Sequence, residues 1–529
     1  MARGTQAAEE VRSVNPATLE EVASVPVSPP EEVAEAVAEA RMASERWARS
    51  SFAERRALLA AVAHQTLEQA DELAATVTAE TGKPLVESFT AELFVALDNI
   101  VWAASHAGEV LRPERLRFPQ PYLRHKRGWL LYEPLGVIAL ISPSNFPLGI
   151  PLSQAAFAVA AGNAAVVKPS ELTPLTGAWI ERLFREAGAP EGLVRVVQGP
   201  GATGEALVRS PAVARIVFTG SAAVGRLVAA AAGERLRPVT LELGSKDPML
   251  VFEDAALDRS VAGALWGSFS NCGQVCSAVE RIYVAQPLHE AFVEELVRRA
   301  RALRIGRGED LGTELGPLMT EERRANVEEL VADALERGAE LRTGGRRAET
   351  GLPGWFYEPT VVTGVEREAR VEQEEIFGPV VTVGSFRDED EAVRLANGSS
   401  FGLGASVWTT DRERARRVAR RLEAGSVWTN DVSYSYGTGQ ASWGGTKESG
   451  FGRTHSRHGL YELSRVKFAD LDSGCMPVPW WYPYDERLLD GFEGALKLVY
   501  GEGVPRKLGW AWQHRRGLLR LGRRYLSGL

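Results

Sequence analysis

The sequence predicts an α/β fold in which strands and helices alternate in two successive regions. Its 529 residues are enough for two to four domains. From Gly136 onward short apolar runs alternate with helical segments, and a second alternation starts near Asp247. Strands that are connected by helices form parallel sheets covered by those helices. We therefore expect a doubly wound parallel sheet in the first region and a second α/β domain after it, followed by a tail of different composition.

Each element is predicted from local spacing. Apolar residues recur at helical intervals from Glu31 to Ala79, which predicts helices, and the Arg-rich segment Tyr122–Tyr132 is predicted to be extended edge structure. The strand-like runs of the first region are Val137–Ile141, Ala164–Val167, Val194–Val197, Ile216–Phe218 and Val239–Leu243. Those of the second region are Arg281–Val284, Val361–Val362, Val380–Val383 and Ser426–Trp428.

Composition indicates a globular protein that works in the cytoplasm. Apolar residues make up 45% of the chain and charged residues 25%, and the net charge of -8 does not suggest a nucleic-acid partner. Three cysteines are too few for a disulfide framework, which favours a reducing compartment. The segment Met1–Val14 lacks the apolar stretch of a signal peptide, and no run reaches the ~18 apolar residues of a membrane-spanning helix.

Two glycine-containing turns are candidates for binding phosphate. Gly199–Gly204, which includes Gly201, matches G-x-G-x-x-G between a strand-like run and a helix-like run. No acidic residue follows about twenty positions later, so this match is weak and a plain tight turn remains open. In the turn Phe218–Gly225, Ser221 would present its hydroxyl beside free backbone N–H groups, either as an anion site or as a simple helix N-cap.

One cysteine is a candidate nucleophile. Asn271–Cys276 places a thiol in a glycine-containing loop before a helix-like stretch, and a thiol near a helix N-terminus can have a lowered pKa. The alternative is a buried structural cysteine. A zinc site is not expected, because Cys272 and Cys276 have no nearby His or further Cys to complete a ligand set.

Several blocks together resemble the aldehyde dehydrogenase superfamily. Gly273–Cys276 resembles its active-site cysteine signature, and Leu241–Pro248 resembles its glutamate signature. Further matching blocks, in order, are Ser142–Pro147, Val166–Glu171, Phe218–Gly225, Glu374–Pro379 and Gly444–Arg453. The resemblance covers residues 12–469. Ser245 and Ser144 depart from the usual Gly and Trp, and neither change removes a reacting group.

The resemblance implies a covalent mechanism. Cys276 would attack the aldehyde to give a thiohemiacetal, with the Asn145 side chain and the Cys276 backbone N–H as oxyanion donors. Transfer of hydride to NAD would leave a thioester, and Glu242 would be the general base that activates water against it. The presence of Glu242 argues against a CoA-acylating enzyme, because those relatives lack this base.

The resemblance also implies how NAD is held. Lys168 and Glu171 match the ligands of the adenosine ribose, and a carboxylate there favours NAD over NADP. Ser221 matches the pyrophosphate contact, Glu375 the nicotinamide-ribose ligand and Phe377 the residue that packs at the nicotinamide. The complete implied cofactor set is Ser142, Lys168, Glu171, Gly201, Gly220, Ser221, Glu375 and Phe377. No metal ligand is implied.

The implied architecture has four parts. Residues 1–115 and 135–246 would form a Rossmann-type NAD-binding domain, and residues 247–454 a second α/β catalytic domain. Residues 116–134 and 455–469 would form a β arm that pairs subunits into a homodimer or a dimer of dimers. Residues 470–529 would be a C-terminal extension.

Substrate and tail each leave alternatives open. A plain aliphatic or aromatic aldehyde is the default expectation; the alternatives are a semialdehyde such as succinate semialdehyde, which would need a cation in the pocket, or a non-catalytic family member. The tail carries the run Pro477–Tyr484 and, after Pro505, seven Arg or Lys with no Asp or Glu. We expect it to dock on the body or on a neighbouring subunit, the alternative being an anionic membrane surface.

Overall fold

The computed structural model describes residues 9–123, 125–472, 474 and 478–526. Two compact units are present: one consists of the chain up to Leu111 together with Glu133–Arg465, the other of Arg112–Tyr132 and the chain from Val466 onward. The first unit contains two sheets in which parallel strands alternate with helices, so the predicted α/β class is confirmed.

The first unit opens with an antiparallel strand pair and the helices predicted over residues 31–79. A π-helical segment, Ser88–Leu93, leads into a further helix, Phe94–Val110, which lies beyond the predicted ones. A serine at position 51 starts the second helix with a reciprocal capping box to Glu54. The elements are β1 (Glu10–Val14), β2 (Glu21–Pro26), α1 (Pro30–Trp47), α2 (Phe52–Glu68), α3 (Ala70–Thr81), α4 (Leu85–Glu87) and α5 (Phe94–Val110). The next two strands, β3 (Glu114–Leu116) and β4 (Lys126–Pro134), lead through the second unit.

A six-stranded sheet follows, and its strands coincide with the predicted runs within two or three residues. Its elements are β5 (Val137–Ile141), α6 (Gly149–Ala160), β6 (Ala164–Lys168), α7 (Pro174–Glu186), β7 (Val194–Val196), α8 (Gly201–Arg209), β8 (Val213–Thr219), α9 (Ala222–Gly233) and β9 (Val239–Glu242). The strand order is β9-β8-β5-β6-β7, with all neighbours parallel, and the short later strand Gly450–Phe451 adds antiparallel to β9. Strand β5 is buried along its whole length, as expected of a central parallel strand.

The second sheet has seven strands. The chain from Asp247 to Glu462 contains β10 (Asp247–Val251), α10 (Leu257–Phe269), β11 (Val279–Ala285), α11 (His289–Ala302), α12 (Glu321–Glu336), β12 (Glu340–Thr343), β13 (Thr360–Thr363), α13 (Arg370–Gln373), β14 (Val380–Phe386), α14 (Glu389–Asn397), β15 (Phe401–Gly402), β16 (Gly404–Trp408), α15 (Arg412–Ala419), β17 (Ser426–Thr429), β18 (Thr446–Lys447), β19 (Gly450–Phe451) and α16 (Ser456–Glu462). Of its strands, β15 and β18 pair only with each other and β19 belongs to the six-stranded sheet. The order β12-β13-β14-β11-β10-β16-β17 puts β11 and β10 at the centre.

One local prediction is wrong. The stretch after Cys276 is not helical: it makes a turn and enters β11, all seven residues of which are buried. Strand β11 lies between β10 and β14, so its alternate side chains pack into apolar cores on the two faces of the sheet. A run rich in Val, Ile, Tyr and Ala suits such a strand, and periodicity cannot separate it from a buried helix.

The second unit combines a small sheet with the helical tail. Strand β20 (Ser464–Asp472) pairs with β4, and β4 pairs antiparallel with β3. Three helices follow: α17 (Glu486–Tyr500), α18 (Val504–Gln513) and α19 (Arg515–Leu526). Cys475 and part of the predicted Pro477–Tyr484 run lie outside the described residues. Across those that are described, none of the helices has the length and apolar character required to cross a membrane.

Candidate active site

The carboxyl ends of β5 and β8 lie side by side in the six-stranded sheet. The chain leaves β5 toward β6 on one side, whereas β8 lies on the other side of β5. Such a reversal of strand order opens a crevice where α/β proteins bind ligands. Ser142 follows β5 directly, and Gly220 and Ser221 follow β8, so these predicted residues flank the crevice.

A cavity of about 400 Å³ extends from this crevice. It gathers seven of the eleven predicted site residues. These are Asn145, Gly220, Ser221, Glu242, Cys276, Glu375 and Phe377. Ser221 is the N-cap of α9, because its side chain accepts a hydrogen bond from the Val224 N–H. It also lines the cavity.

The other four predicted residues lie outside the lining of that cavity. Ser142 donates its backbone N–H to the Lys168 carbonyl at 3.0 Å, and its buried hydroxyl has no protein partner. Lys168 ends β6 and forms an ion pair with Glu171 at 3.0 Å. Gly201 is the first residue of α8, and a Cβ there would meet only open space. Helix α8 passes close to Lys168, because a Cβ at Gly204 would lie 3.9 Å from its Cδ.

Cys276 lies at the end of a strained loop. Asn271 and Cys272 have φ of 48° and 55°, left-handed values that non-glycine residues seldom adopt. Gly273 has φ of 70°, and a Cβ there would overlap the Gly378 carbonyl, so only glycine lets the loop approach the Glu374–Pro379 block. This contact explains why two distant sequence blocks belong to one site.

The Cys276 thiol is not activated in the manner that the sequence suggested. Burial raises its pKa well above the ordinary value, and the charges of Glu242, Asp247 and Glu375 raise it further. The predicted lowering of the pKa by a helix N-terminus is absent, because β11 and not a helix follows the loop. A thiol with a raised pKa needs a base and a nearby positive charge to react as the thiolate.

Glu242 is a buried carboxyl poised near neutral pH. Its Oε1 accepts a hydrogen bond from Thr454 at 2.5 Å and its Oε2 one from Thr219 at 3.4 Å. Burial raises the pKa of Glu242 to about 7, although these two hydroxyl groups favour the ionised form. A carboxyl with a pKa near the working pH is suited to accept and release a proton.

The Asn145 amide is fixed beside the cysteine loop. Its Nδ2 donates to the Gln274 carbonyl at 2.9 Å, which leaves its second N–H for another acceptor. The backbone carbonyl of Asn145 accepts hydrogen bonds from Lys83 Nζ at 2.7 Å and from Asn271 Nδ2 at 3.1 Å. Lys83 also forms a fully buried ion pair with Glu92 at 2.6 Å.

Glu375 and Phe377 occupy the opposite wall. Glu375 Oε1 accepts from the Ser245 N–H at 3.0 Å, and a Cβ at Gly244 would overlap the Glu375 carboxylate. Burial, then the charge of Glu280, raises the pKa of Glu375 to about 8. The Phe377 N–H donates to Glu280 at 3.0 Å, which holds this segment against β11.

A second cavity, of about 390 Å³, reaches Cys276 from the other side. Among the residues that the structure describes, only Cys276 and Ile150 line both cavities. Its wall is rich in aromatic side chains and contains two acids, Glu87 and Asp98. The aromatic residues are Phe94, Phe146, Trp266, Tyr434, Tyr436 and Trp443. No Lys, Arg or His occurs among the described residues that line it.

The sequence did not identify the residues that form hydrogen bonds with the predicted site residues. Thr454 lies 212 residues from Glu242 and Lys83 lies 62 from Asn145, so spacing carries no signal for either contact. Thr454 directly follows the Gly444–Arg453 block, which is the one sequence hint that it belongs to the site. Arg323 was missed for the same reason, whereas Gln274 lies inside the Gly273–Cys276 block and only its contact with Asn145 carried no signal.

The profile of the aldehyde dehydrogenase family matches residues 3–469. This chain belongs to that family. A betaine aldehyde dehydrogenase of Bacillus subtilis (strain 168) is 40% identical over 89% of this chain and 96% of its own length. A 3-sulfolactaldehyde dehydrogenase of Pseudomonas putida is 39% identical over 86% of this chain and 92% of its own.

Solved structures agree with the family assignment. The structure of an aldehyde dehydrogenase from Bacillus cereus, described as an NAD+ complex, superimposes with a TM-score of 0.84 at 34% identity, covering 88% of this chain and 94% of that one. As a family member this chain is an oxidoreductase that acts on aldehydes. The matched residues end at position 469, so α17 to α19 lie beyond the family's common part.

Proposed function

We propose that this family member oxidises an aldehyde to its carboxylic acid with NAD through a covalent intermediate on Cys276. One observation carries the proposal: the candidate nucleophile, Cys276, lines both of the cavities described above. One cavity also contains Glu242 and Asn145, and the other has room for an organic aldehyde. A non-catalytic role is disfavoured, because the nucleophile, the base and the oxyanion donor share one site.

The features of the first cavity fit NAD. The twelve-residue helix α9 directs its N-terminus at the crevice, and such a terminus suits a pyrophosphate. The orphaned Ser142 hydroxyl and the Glu375 carboxylate supply further polar contacts. Glu171 would accept the adenosine-ribose hydroxyls and repel a 2′-phosphate, which favours NAD over NADP. When bound, NAD supplies the hydride acceptor and a positively charged ring.

The first half of the reaction forms the thioester. The Cys276 proton passes to Glu242, the sulfur attacks the carbonyl carbon, and the carbonyl electron pair moves to oxygen. Asn145 Nδ2 and the Cys276 backbone N–H stabilise this oxyanion, and loss of one such donor typically costs ~10²–10³ in rate. The thiohemiacetal then becomes a thioester by losing a hydride, for which bound NAD would supply the acceptor.

The second half releases the acid. After Glu242 has given up its first proton to solvent, its carboxylate accepts a proton from water while the water oxygen attacks the thioester carbon. The C–S bond breaks, its electron pair stays on the sulfur, which takes the proton back from Glu242, and the carboxylic acid leaves. Thr454 and Thr219 keep the carboxylate oriented throughout, because each binds a different oxygen of Glu242.

The second cavity favours an aldehyde whose far end is positively charged. Aromatic faces attract cations, and two carboxylates line the wall, with Glu87 accepting the Asn271 N–H at 2.9 Å. A semialdehyde such as succinate semialdehyde would meet two acids and no cation there. The relative from Bacillus subtilis is named for betaine aldehyde, whose quaternary ammonium group fits this wall. Plain aliphatic and aromatic aldehydes remain possible secondary substrates.

A comparison of kcat/KM values tests the substrate class. We expect betaine aldehyde or an aminoaldehyde to exceed succinate semialdehyde by at least ~10-fold, since a desolvated cation–π contact alone contributes about 2 kcal/mol. Glu87→Gln and Asp98→Asn should shrink that ratio while leaving the rate with hexanal nearly unchanged. A preference for succinate semialdehyde, or a ratio unaffected by both variants, would reject the cationic class.

The activity itself is tested by NADH formation. Wild-type protein should reduce NAD much faster than NADP with a panel of aldehydes, and Cys276→Ala should abolish the reaction. Cys272→Ala is the matched control, because Cys272 is a buried thiol in the same loop that lines neither cavity. Equal activity in Cys276→Ala and wild type would overturn the proposal.

We also propose a homo-oligomer that works in the cytoplasm. Strand β20 is an edge strand of its small sheet, and Val466, Phe468 and Leu471 on it are more than half exposed. An exposed apolar edge strand is a template for pairing with another chain. Light scattering of the purified protein should give a dimer or a tetramer, and a monomer would exclude this assembly.

A further inference from the structure

The last two helices of the chain, α18 and α19, follow each other almost without interruption. Only His514 separates them, and hydrogen bonds of helical spacing continue through this residue. Its N–H donates to the Trp510 carbonyl at 3.0 Å, and its carbonyl accepts the Leu518 N–H at 2.9 Å. Residues that recur every four or seven positions along these helices therefore lie on one side.

One side of this pair packs against α17. A Cβ at Gly517 would overlap the backbone nitrogen of Gly491, so the two helices approach each other closely at glycines. His514 is buried there, with Nδ1 2.7 Å from a carboxylate oxygen of Asp490 and Nε2 3.0 Å from Lys497 Nζ. The packing of α19 on α17 therefore uses this inner side of the pair.

The opposite side carries an apolar stripe, which we call the outer stripe. Its members recur at intervals of four or seven residues, and each is more than half exposed. They are Val504, Leu508, Trp512, Leu519 and Leu526. Because the inner side already packs on α17, the outer stripe does not contribute to that packing. A row of exposed apolar side chains marks a surface that another molecule covers.

Basic side chains accompany the outer stripe, and acidic ones do not. From position 504 to position 526 the sequence contains seven Arg or Lys and no Asp or Glu. Two of the arginines, Arg516 and Arg523, follow Trp512 and Leu519 by four residues, so they border the stripe. Four of the seven cations have no ion-pair partner among the residues that the structure describes: Arg506, Lys507, Arg516 and Arg523.

We propose that the outer stripe of α18 and α19 lies in the headgroup region of an anionic lipid bilayer. Helices with leucine and tryptophan on one face and arginine around it bind membranes in the plane of the surface. The leucines and Trp512 enter the boundary of the acyl chains, while the long arginine side chains reach the lipid phosphates. Each basic residue near an anionic surface strengthens such binding about fivefold.

Charge complementarity favours a lipid surface over other partners. A second copy of the same face would bring like charges together, which weakens association. Nucleic acid would attract the cations but would leave the leucines uncovered. The sequence left protein docking and an anionic membrane open for the tail. The outer stripe favours the membrane for α18 and α19, and docking remains the expectation for the aromatic run that ends at Tyr484.

Sedimentation of the full-length protein with lipid vesicles tests this partner. We expect it to bind vesicles made of equal parts phosphatidylglycerol and phosphatidylcholine at least ~10-fold more tightly than vesicles of phosphatidylcholine alone. Binding to the mixed vesicles should weaken as salt is added, because salt screens the attraction between arginines and lipid phosphates.

A pair of arginine variants tests the charges. Arg516→Gln combined with Arg523→Gln should bind the mixed vesicles about 25-fold more weakly, at about fivefold per lost charge. The matched control is Arg412→Gln combined with Arg420→Gln, at the start of α15 and at its C-terminal cap. Both control arginines are exposed and form no ion pair with a described residue, so net charge changes equally while vesicle binding should stay close to wild type.

A pair of leucine variants tests the outer stripe. Leu508→Ser combined with Leu519→Ser should weaken binding to the mixed vesicles at least ~10-fold, because two apolar side chains no longer enter the bilayer. The control, Leu236→Ser combined with Leu311→Ser, replaces two exposed leucines of the first unit and should leave binding unchanged.

Several results would overturn the proposal. They are no binding of wild type to the mixed vesicles, equal binding to both kinds of vesicle, or equal effects of a variant and its control. If Leu508→Ser with Leu519→Ser kept vesicle binding but gave a smaller oligomer by light scattering, a second copy and not lipid would cover the stripe. None of these outcomes depends on NADH formation, so the proposed function is tested independently.

Discussion

At the scale of single residues, Glu242 combines two requirements that conflict. A buried carboxyl resists ionisation, yet a general base must be ionised, and a pKa of about 7 satisfies both. Thr454 and Thr219 make this possible by donating hydrogen bonds to a group that would otherwise be left unpaired.

Replacing Glu242 should separate the two halves of the reaction. Glu242→Gln keeps the shape and one acceptor oxygen, so the first NADH should still form, although deprotonation of Cys276 slows it. Hydrolysis of the thioester should then fall by ~10²–10⁴, the usual contribution of a general base. Stopped-flow absorbance would show a burst followed by slow turnover, and equal loss of both phases would contradict the role of Glu242 in thioester hydrolysis.

The pH dependence follows from the same carboxyl. Because only the ionised form of Glu242 accepts a proton, steady-state kcat should rise with pH and level off above about 7. Below that pH each unit should cost close to tenfold, provided that thioester hydrolysis limits turnover. In Glu242→Gln this limb should disappear, and a limb that persists in the variant would assign it to another group.

At the scale of elements, the loop between β5 and α6 is held by a buried ion pair. Glu92 lies in the π-helical segment and accepts the Leu148 and Gly149 N–H groups at 3.1 and 2.6 Å, while Lys83 binds the Asn145 carbonyl. The same π-helical segment lines the substrate cavity through Thr90 and Ala91. One element thus shapes both the substrate cavity and the oxyanion donor.

Breaking this pair should affect stability and rate differently. Glu92→Ala strands the buried Lys83 charge and should lower the free energy of unfolding by ~3–5 kcal/mol. The double change Lys83→Met with Glu92→Leu removes both charges and should recover much of that stability. Its NADH burst should stay slow, because Asn145 has still lost its anchor. Urea unfolding and stopped flow measure the two effects; a double variant with a wild-type burst would show that the pair only stabilises the fold.

The sequence predicted those structural features that depend on residues close to one another along the chain. Apolar runs located β5 to β9 closely, because a buried parallel strand is a short apolar run flanked by turns. The run Arg281–Val284 likewise lies within β11. The helix-like interpretation of the residues directly after Cys276 was wrong, and this error led to the wrong prediction of a lowered thiol pKa. Contacts such as Glu242–Thr454 depend on sheet pairing, since β9 and β19 bring them together, and no spacing rule contains that information.

At the scale of the whole molecule, helices α17 to α19 lie beyond the residues that the family profile matches. Helices α17 and α19 pack through Gly491 and Gly517, where either Cβ would overlap the facing backbone. Large apolar side chains nevertheless stay exposed on α17, α18 and α19, among them Leu489, Leu496, Val499, Leu508, Trp512 and Leu519. Exposed apolar area of this kind marks a surface that another molecule or segment covers.

Truncation after Asp472 tests the expected docking of the tail. Because the family's common part ends at residue 469, the shortened chain should still fold and oxidise small aldehydes. We expect a change in oligomer size, measured by light scattering, or in the rate with bulky aldehydes. No change in either would defeat the docking prediction. Binding of the full chain, but not of the shortened one, to anionic vesicles would support the membrane alternative.

The whole account depends on a carbon–sulfur bond that forms and breaks once per turnover. The most direct measurement is peptide mass spectrometry of Glu242→Gln quenched within one turnover after mixing with NAD and aldehyde. The account predicts an added acyl mass on the peptide that carries Cys276 and none on Cys272. NADH release with no acyl adduct at Cys276, at a quench time when the burst is complete, would contradict it.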